Sequence, residues 1–207
     1  MKNGVTVHGI LLTTLAMGCL FTFGCQGGKE TIGKLLSVKG DVKARFSTKK
    51  EFSDAVVDTP LAVGGAVKTG KDSGAEISIE GKGQVALRAE SFFEVQPNQL
   101  VGKQGSGTAI YRFQKQKEQI KIETPQGVTS VLGTTFLLLV ASETTTVVVD
   151  EGKVAFTNMS GESAEIAAKE KLVAKAGGKL DKPEAIDPMT RNSFFGSGGS
   201  GPLFNQH

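Results

Sequence analysis

From Ile32 onward, apolar and polar residues alternate with a period of two. Val42, Ala44 and Phe46 alternate with polar partners, as do Ile77 and Ile79, Val85 and Leu87, Tyr111 and Phe113, and Ile120 and Ile122. Such alternation sets one face of a strand on a core and the other in water. Gly-bearing turns separate the runs, among them "KGD" (39–41), "VGG" (63–65), "TGKDSG" (69–74), "EGKG" (80–83), "PQG" (125–127) and "DEGK" (150–153). Short strands at roughly ten-residue spacing predict an all-β fold, a sandwich or roll of short antiparallel strands and hairpins.

The second half carries the densest signal. Strands are predicted over 120–123, 128–132, 135–141, 144–149 and 153–157. Leu137, Leu138, Leu139 and Val140 run without alternation, which predicts a strand covered on both faces. "TTTVVV", "DEGK" and "VAFTN" together predict a hairpin, with Asp150 and Glu151 as turn residues before Gly152. Residues 162–176 are ambiguous from the residues alone. Ala, Glu and Lys favour helix, whereas "AEIA" and "KLVAK" read equally as two short strands. Beyond Pro188 the "GSGGSGP" stretch predicts a flexible tail, 188–207, with Phe194, Phe195 and Phe204 inert in it.

The N-terminus has a different character. "MKNGVTVHGILLTTLAMGCLFTFGC" begins with Lys2 as its one basic side chain, continues with an apolar run and ends in Gly-Cys, which reads as a cleaved secretion signal over 1–24. An uncleaved anchor from Val5 to Phe23 is the alternative. The Gly-Cys step at Cys25 resembles a bacterial lipobox, so Cys25 is the expected lipidation site and 25–31 a lipidated linker; Cys19, in "LAMGC", is the competing position. Several acyl chains would supply the stable anchoring that a single one cannot. Gln26 after the modified cysteine resembles the signal for sorting to the outer membrane. The expected location is therefore the cell envelope, lipid-anchored, on the outer membrane facing the periplasm.

Composition then narrows the chemistry. Both cysteines lie in the leader, and the two histidines are His8 and His207, so the predicted mature body lacks imidazole and thiol. No catalytic residue, cofactor site or metal site is predicted, because triads, Cys-His pairs and most zinc sites need those groups. A carboxylate enzyme of the glycosidase type is the residual catalytic possibility. "GKQGSGT" (102–108) lacks Walker spacing and reads as a flexible loop. The 24 basic and 21 acidic residues are interspersed, without the basic stripe that nucleic acid would require. One Tyr and no Trp cannot build the aromatic girdles of a membrane barrel.

Three fragments carry a family resemblance: "VKGDVKAR"; "LAVGGAVKTGKDSGAEISIEGKGQVALRAESFFEV"; and "IETPQGVTSVLGTTFLLLV" followed by "TTTVVVDEGKVAFTN". In that order they resemble the FecR-like domain, the periplasmic part of iron-citrate-type surface-signalling regulators. The resemblance implies a single FecR-like β domain over 32–158, a C-terminal extension over 159–187 packing on it, and strands rather than helix over 162–176. It marks Gly40, Gly70, Gly127, Gly133, Thr134, Phe136 and Gly152 as structural motif residues. Pro125 and Gly127 would make a tight turn with Gly127 left-handed, Gly133 and Thr134 would bend the chain like a bulge, and Phe136 would anchor the core. A standard regulator has a cytoplasmic region that holds a sigma factor; here only a few residues precede the apolar segment, so direct anti-sigma activity is not expected. The function implied is a non-enzymatic, lipid-anchored interaction or signal-sensing module whose partner is an envelope protein such as a receptor signalling domain. A surface lipoprotein binding a polysaccharide or host molecule is the alternative.

Overall fold

The computed structural model describes Met1 and residues 30–196; the leader with Cys19, Cys25 and Gln26, and the stretch beyond Gly196, lie outside the described residues. Among the described residues there are seventeen strands, formed by the alternating runs, and one helix. Two sheets face each other. The first holds, in spatial order, β4 (Pro60–Ala62), β1 (Thr31–Lys39), β6 (Gly74–Ile79), β7 (Gly83–Leu87), the second half of β9 (Leu100–Phe113), β12 (Thr135–Val140), β13 (Thr144–Glu151), β16 (Glu170–Lys175) and β17 (Glu184–Ala185). The second holds β3 (Ser53–Asp54), β2 (Val42–Arg45), β5 (Ala66–Thr69), β8 (Phe92–Val95), the first half of β9, β10 (Ile120–Thr124), β11 (Gly127–Val131), β14 (Lys153–Asn158) and β15 (Ser163–Ala167). Neither sheet closes on itself. β9 belongs to both.

The inward residues of the two sheets share one core. Tyr111 and Phe136 of the first sheet stack at 4.8 Å, and Phe93 of the second meets the Tyr111 ring edge-on at 6.2 Å. All three are fully buried. The outward residues of the first sheet are apolar at its centre: Ile110 and Val148 flank Leu137 across the strands, buried with it. Their cover is the helix α1 (Pro188–Phe195) and Ile186, with Phe195 4% exposed.

Four details depart from the expectations. Residues 150–153 are not a hairpin: β13 pairs with β12 and β16, β14 pairs with β11 and β15, and the chain steps from one sheet to the other at Gly152. "GKQGSGT" is not a loop but the middle of β9, where Gly102 and Gly105 leave room for the Phe93 and Phe92 rings. One strand pair, β9 with β10, is parallel, because β9 exits through the first sheet and the chain must return to the second. Finally, 188–195 of the expected tail is helical and docked. Asp187 caps it by accepting from the Thr190 N–H at 2.9 Å, Pro188 opens it and Gly196 closes it.

Candidate interaction surface

A two-residue period can continue straight through a corner, and the chain exploits this. At each short crossing between sheets stands a residue with positive φ: Gly40 (75°), Asp58 (65°), Gly64 (75°), Asp72 (53°), Glu90 (54°), Gly107 (81°), Gly133 (150°), Gly152 (84°) and Lys169 (69°). Left-handed backbone turns a strand by a sharp angle without ending it. Ser and Thr side chains then satisfy the backbone that each corner exposes. Ser73 Oγ accepts from the Asp41 N–H at 2.9 Å, Thr69 Oγ1 accepts from the Ser91 N–H at 2.9 Å, and Ser91 Oγ accepts from the Thr108 N–H at 2.9 Å. Thr134 Oγ1 donates to the Lys153 carbonyl at 3.1 Å, tying the corner at Gly133 to that at Gly152.

Gly40, Gly133, Thr134 and Gly152 stand at these corners. A Cβ on Gly40 would stand 2.5 Å from Ser73 Oγ, and one on Gly133 2.5 Å from Lys115 Cα. Gly70 donates its N–H to the Asp41 carbonyl at 2.8 Å, joining neighbouring corners. Gly127 is not left-handed, contrary to expectation. It is glycine because the β14 backbone crosses so closely that a Cβ would lie 2.3 Å from the Thr157 carbonyl oxygen. Phe136 sits at the ring cluster.

Two polar devices escaped the sequence reading. Gln104, fully buried, accepts from Tyr111 Oη at 2.8 Å and donates to the carbonyls of Gly107 at 2.9 Å and Leu138 at 3.2 Å. It clamps the two halves of β9 across their bend. Burial pushes the Tyr111 phenol well above its ordinary range, so it remains a donor. The second device is Asp150, 2% exposed, which accepts from Arg191 Nε at 2.5 Å and from Lys169 Nζ at 2.7 Å. Burial pushes this carboxyl up, but the two cations outweigh it and hold the pKa below the ordinary value. Arg88 Nη2 adds a bond to the Phe194 carbonyl at 2.5 Å. The helix is thus pinned by Arg191 at its middle and by the Arg88 bond and Phe195 at its C-terminal end. Asp-Pro followed eight residues later by Gly was the signal that could have revealed it.

With α1 over the first sheet, the outer face of the second remains open. Several of its charges are paired: Lys43 with Asp54 at 2.7 Å, Arg45 with Glu94 at 2.5 Å, Lys103 with Glu123 at 3.0 Å and Lys153 with Glu165 at 2.7 Å. Exposed pairs of this kind contribute only about 0–1 kcal/mol each. Toward β15 the face becomes flat, with Ser130 beside Ala155 and Thr157 beside Ser163. β15 is an edge strand paired only with β14 among the described residues. The Ala167 N–H turns outward to Glu170 Oε2 at 2.8 Å, so the Glu165 N–H, two residues back, faces outward as well. No group of His, Cys, Asp or Glu among the described residues is arranged to hold a metal, and no helix among them is long and apolar enough to cross a membrane.

Residues 65–155 match the model of the FecR protein family, the span of the sandwich that runs from β5 to β14. The match is narrower than the motif reading and leaves out "VKGDVKAR". Two crystal structures of a "putative anti-sigma factor" from Parabacteroides distasonis ATCC 8503 share the fold, with TM-scores of 0.55 and 0.54, both at 16% identity. Each alignment covers 62% of this chain and 63% of the other, so the likeness spans less than two thirds of those proteins. No curated protein matches the chain.

Proposed function

We propose that this chain is a non-enzymatic, lipid-anchored regulatory module of the bacterial envelope, in which the FecR-like sandwich engages an envelope protein such as a receptor signalling domain. The observation that carries the reading is the unpaired edge of β15 beside the open face of its sheet, within a body whose residues 65–155 match the FecR family. An extended partner segment would add to that edge through main-chain hydrogen bonds, side chains supplying selectivity. The anchor at Cys25 would hold the module at the membrane and leave both sheets free of it. The anti-sigma designation of the structural relatives supports a signalling role and nothing more specific.

Proline at position 165 removes an outward N–H without breaking a bond to β14. Capture of a partner from envelope extracts by the purified protein, lost in Glu165→Pro while the thermal midpoint stays within a few degrees, is the expected result. Equal capture by both proteins would refute edge pairing. Radiolabelled palmitate should mark the wild type and not Cys25→Ala.

A further inference from the structure

Every cation cited on the open face has a carboxylate partner. A second group of cations does not. At the end of the sandwich where β6 turns into β7, a trough of about 1030 Å³ runs between the loop after β9, the turn before it, and Lys82. It shares Gly81, Lys82 and Gln114 with a hollow of about 440 Å³ beside Arg112. Lys82, Lys115, Lys117 and Lys121 line the trough, and Arg112 lines the hollow. None of the five makes an ion pair among the described residues. Arg112 Nε is buried without a hydrogen-bond partner. Glu118 is the one acid of the lining, and its carboxylate already accepts from Gln99 Nε2 at 3.0 Å. Glu30 and Glu80 line a neighbouring hollow that shares Lys82, Pro97 and Asn98 with the trough, and neither forms an ion pair with Lys82.

Mutual repulsion makes such a group of cations unfavourable unless an anion completes it. The remaining lining identifies the anion. Asn98, Gln114 and Gln119 supply amides able to donate and accept, which suits hydroxyl groups, while Gln116, its N–H groups given to the Gly81 and Gln114 carbonyls, and Gln99 offer their oxygens as acceptors. The backbone offers a peptide little. The Gln114, Gln116 and Lys121 N–H groups are taken by the carbonyls of Lys82, Leu132 and Gln99, at 2.9, 2.6 and 2.7 Å. The trough thus presents cations for acidic groups and amides for hydroxyls, without a strand edge for main-chain pairing. Its volume suits several linked units rather than one small ion. We propose that this trough binds an anionic polysaccharide, Arg112 and the lysines holding its acidic groups and the amides its hydroxyls. This site is separate from the β15 edge and does not depend on a partner there.

The test uses the purified full chain with polygalacturonate as probe, neutral galactan and polyglutamate as comparisons, and fluorescence titration at two salt concentrations. Polygalacturonate should bind, more weakly at high salt, and galactan should not. Lys115→Glu with Lys117→Glu, both exposed, should weaken binding by about tenfold or more, since charge reversal replaces attraction by repulsion. Lys49→Glu with Lys50→Glu, in the loop after β2, makes the same change in net charge elsewhere and should leave affinity within about twofold. Absence of polygalacturonate binding overturns the proposal, as does equal weakening by both double variants, which would mean diffuse charge attraction. Polyglutamate binding as tightly as polygalacturonate would assign the trough to acidic peptides instead.

Discussion

Two glycines with positive φ separate conformation from contact. Gly133 has φ 150° and a backbone neighbour 2.5 Å from any added Cβ, whereas Gly81 has φ 65° and nothing within 4 Å. Gly81→Ala should therefore cost only the conformational penalty, about 1 kcal/mol. Gly133→Ala should cost about 3 kcal/mol or more, because the Lys115 backbone must also move. Chemical denaturation of both variants checks the ranking, and equal losses would mean that the corner relaxes freely. Tyr111→Phe removes one hydroxyl and strands Gln104 Oε1 in the core, so a loss of about 1–3 kcal/mol is expected. Gln104 also shows the limit of sequence reading at this scale. Flanked by glycines, it looks like a loop residue; only the Phe92 and Phe93 rings, brought over those glycines by β8, explain why a strand passes there.

Among the elements, those defined by local alternation were legible. The strands around 120–124, 127–131, 135–140, 144–151 and 153–158 lie within a residue or two of the predicted ones, and 163–167 and 170–175 are strands as the family resemblance implied. Pairing was less legible. A corner and a hairpin both read as turn residues between alternating runs, and which one "DEGK" makes depends on partners far along the chain. The docked helix was hidden by the glycine-rich text that follows it, although the unbroken apolar run 137–140 already called for a cover. Its attachment yields a prediction. Arg191→Ala leaves Asp150 with Lys169 alone and should loosen the helix by about 1–3 kcal/mol; trypsin should then cut at Lys179 faster, while the sandwich's own unfolding midpoint moves little. Acid should act on the same contact. The Asp150 pKa is lowered by folding, so its pairing stabilises at neutral pH and is lost as pH falls through a value below the ordinary 3.8. The cap at Asp187, lowered chiefly by its side-chain bond from Thr190, weakens in the same direction. Proteolysis between pH 5 and 2.5 by an acid-active protease should show release of the C-terminal segment in the wild type, and Asp150→Asn should lose most of that dependence.

For the molecule as a whole, two sheets do not mean two folding units. β9 runs through both, and the strands joined at Gly133, Gly152 and Lys169 continue from one into the other. Phe93→Ala in the second sheet and Phe136→Ala in the first should each lower one shared transition by about 3–5 kcal/mol. Calorimetry and circular dichroism should give the same midpoint; two resolved transitions would show that the sheets melt separately. Folding should be slow, in the millisecond-to-second range, since pairs such as β1 with β6, β9 with β12 and β13 with β16 join segments far apart in the chain.

The corners have one more consequence. A sandwich of independent layers resembles two cards held face to face, which can slide; this one is a single page folded back on itself along its glycines. Gripping it at one margin strains the crease, and the crease is common to both leaves. A load on one leaf is therefore carried into the other along the backbone they share.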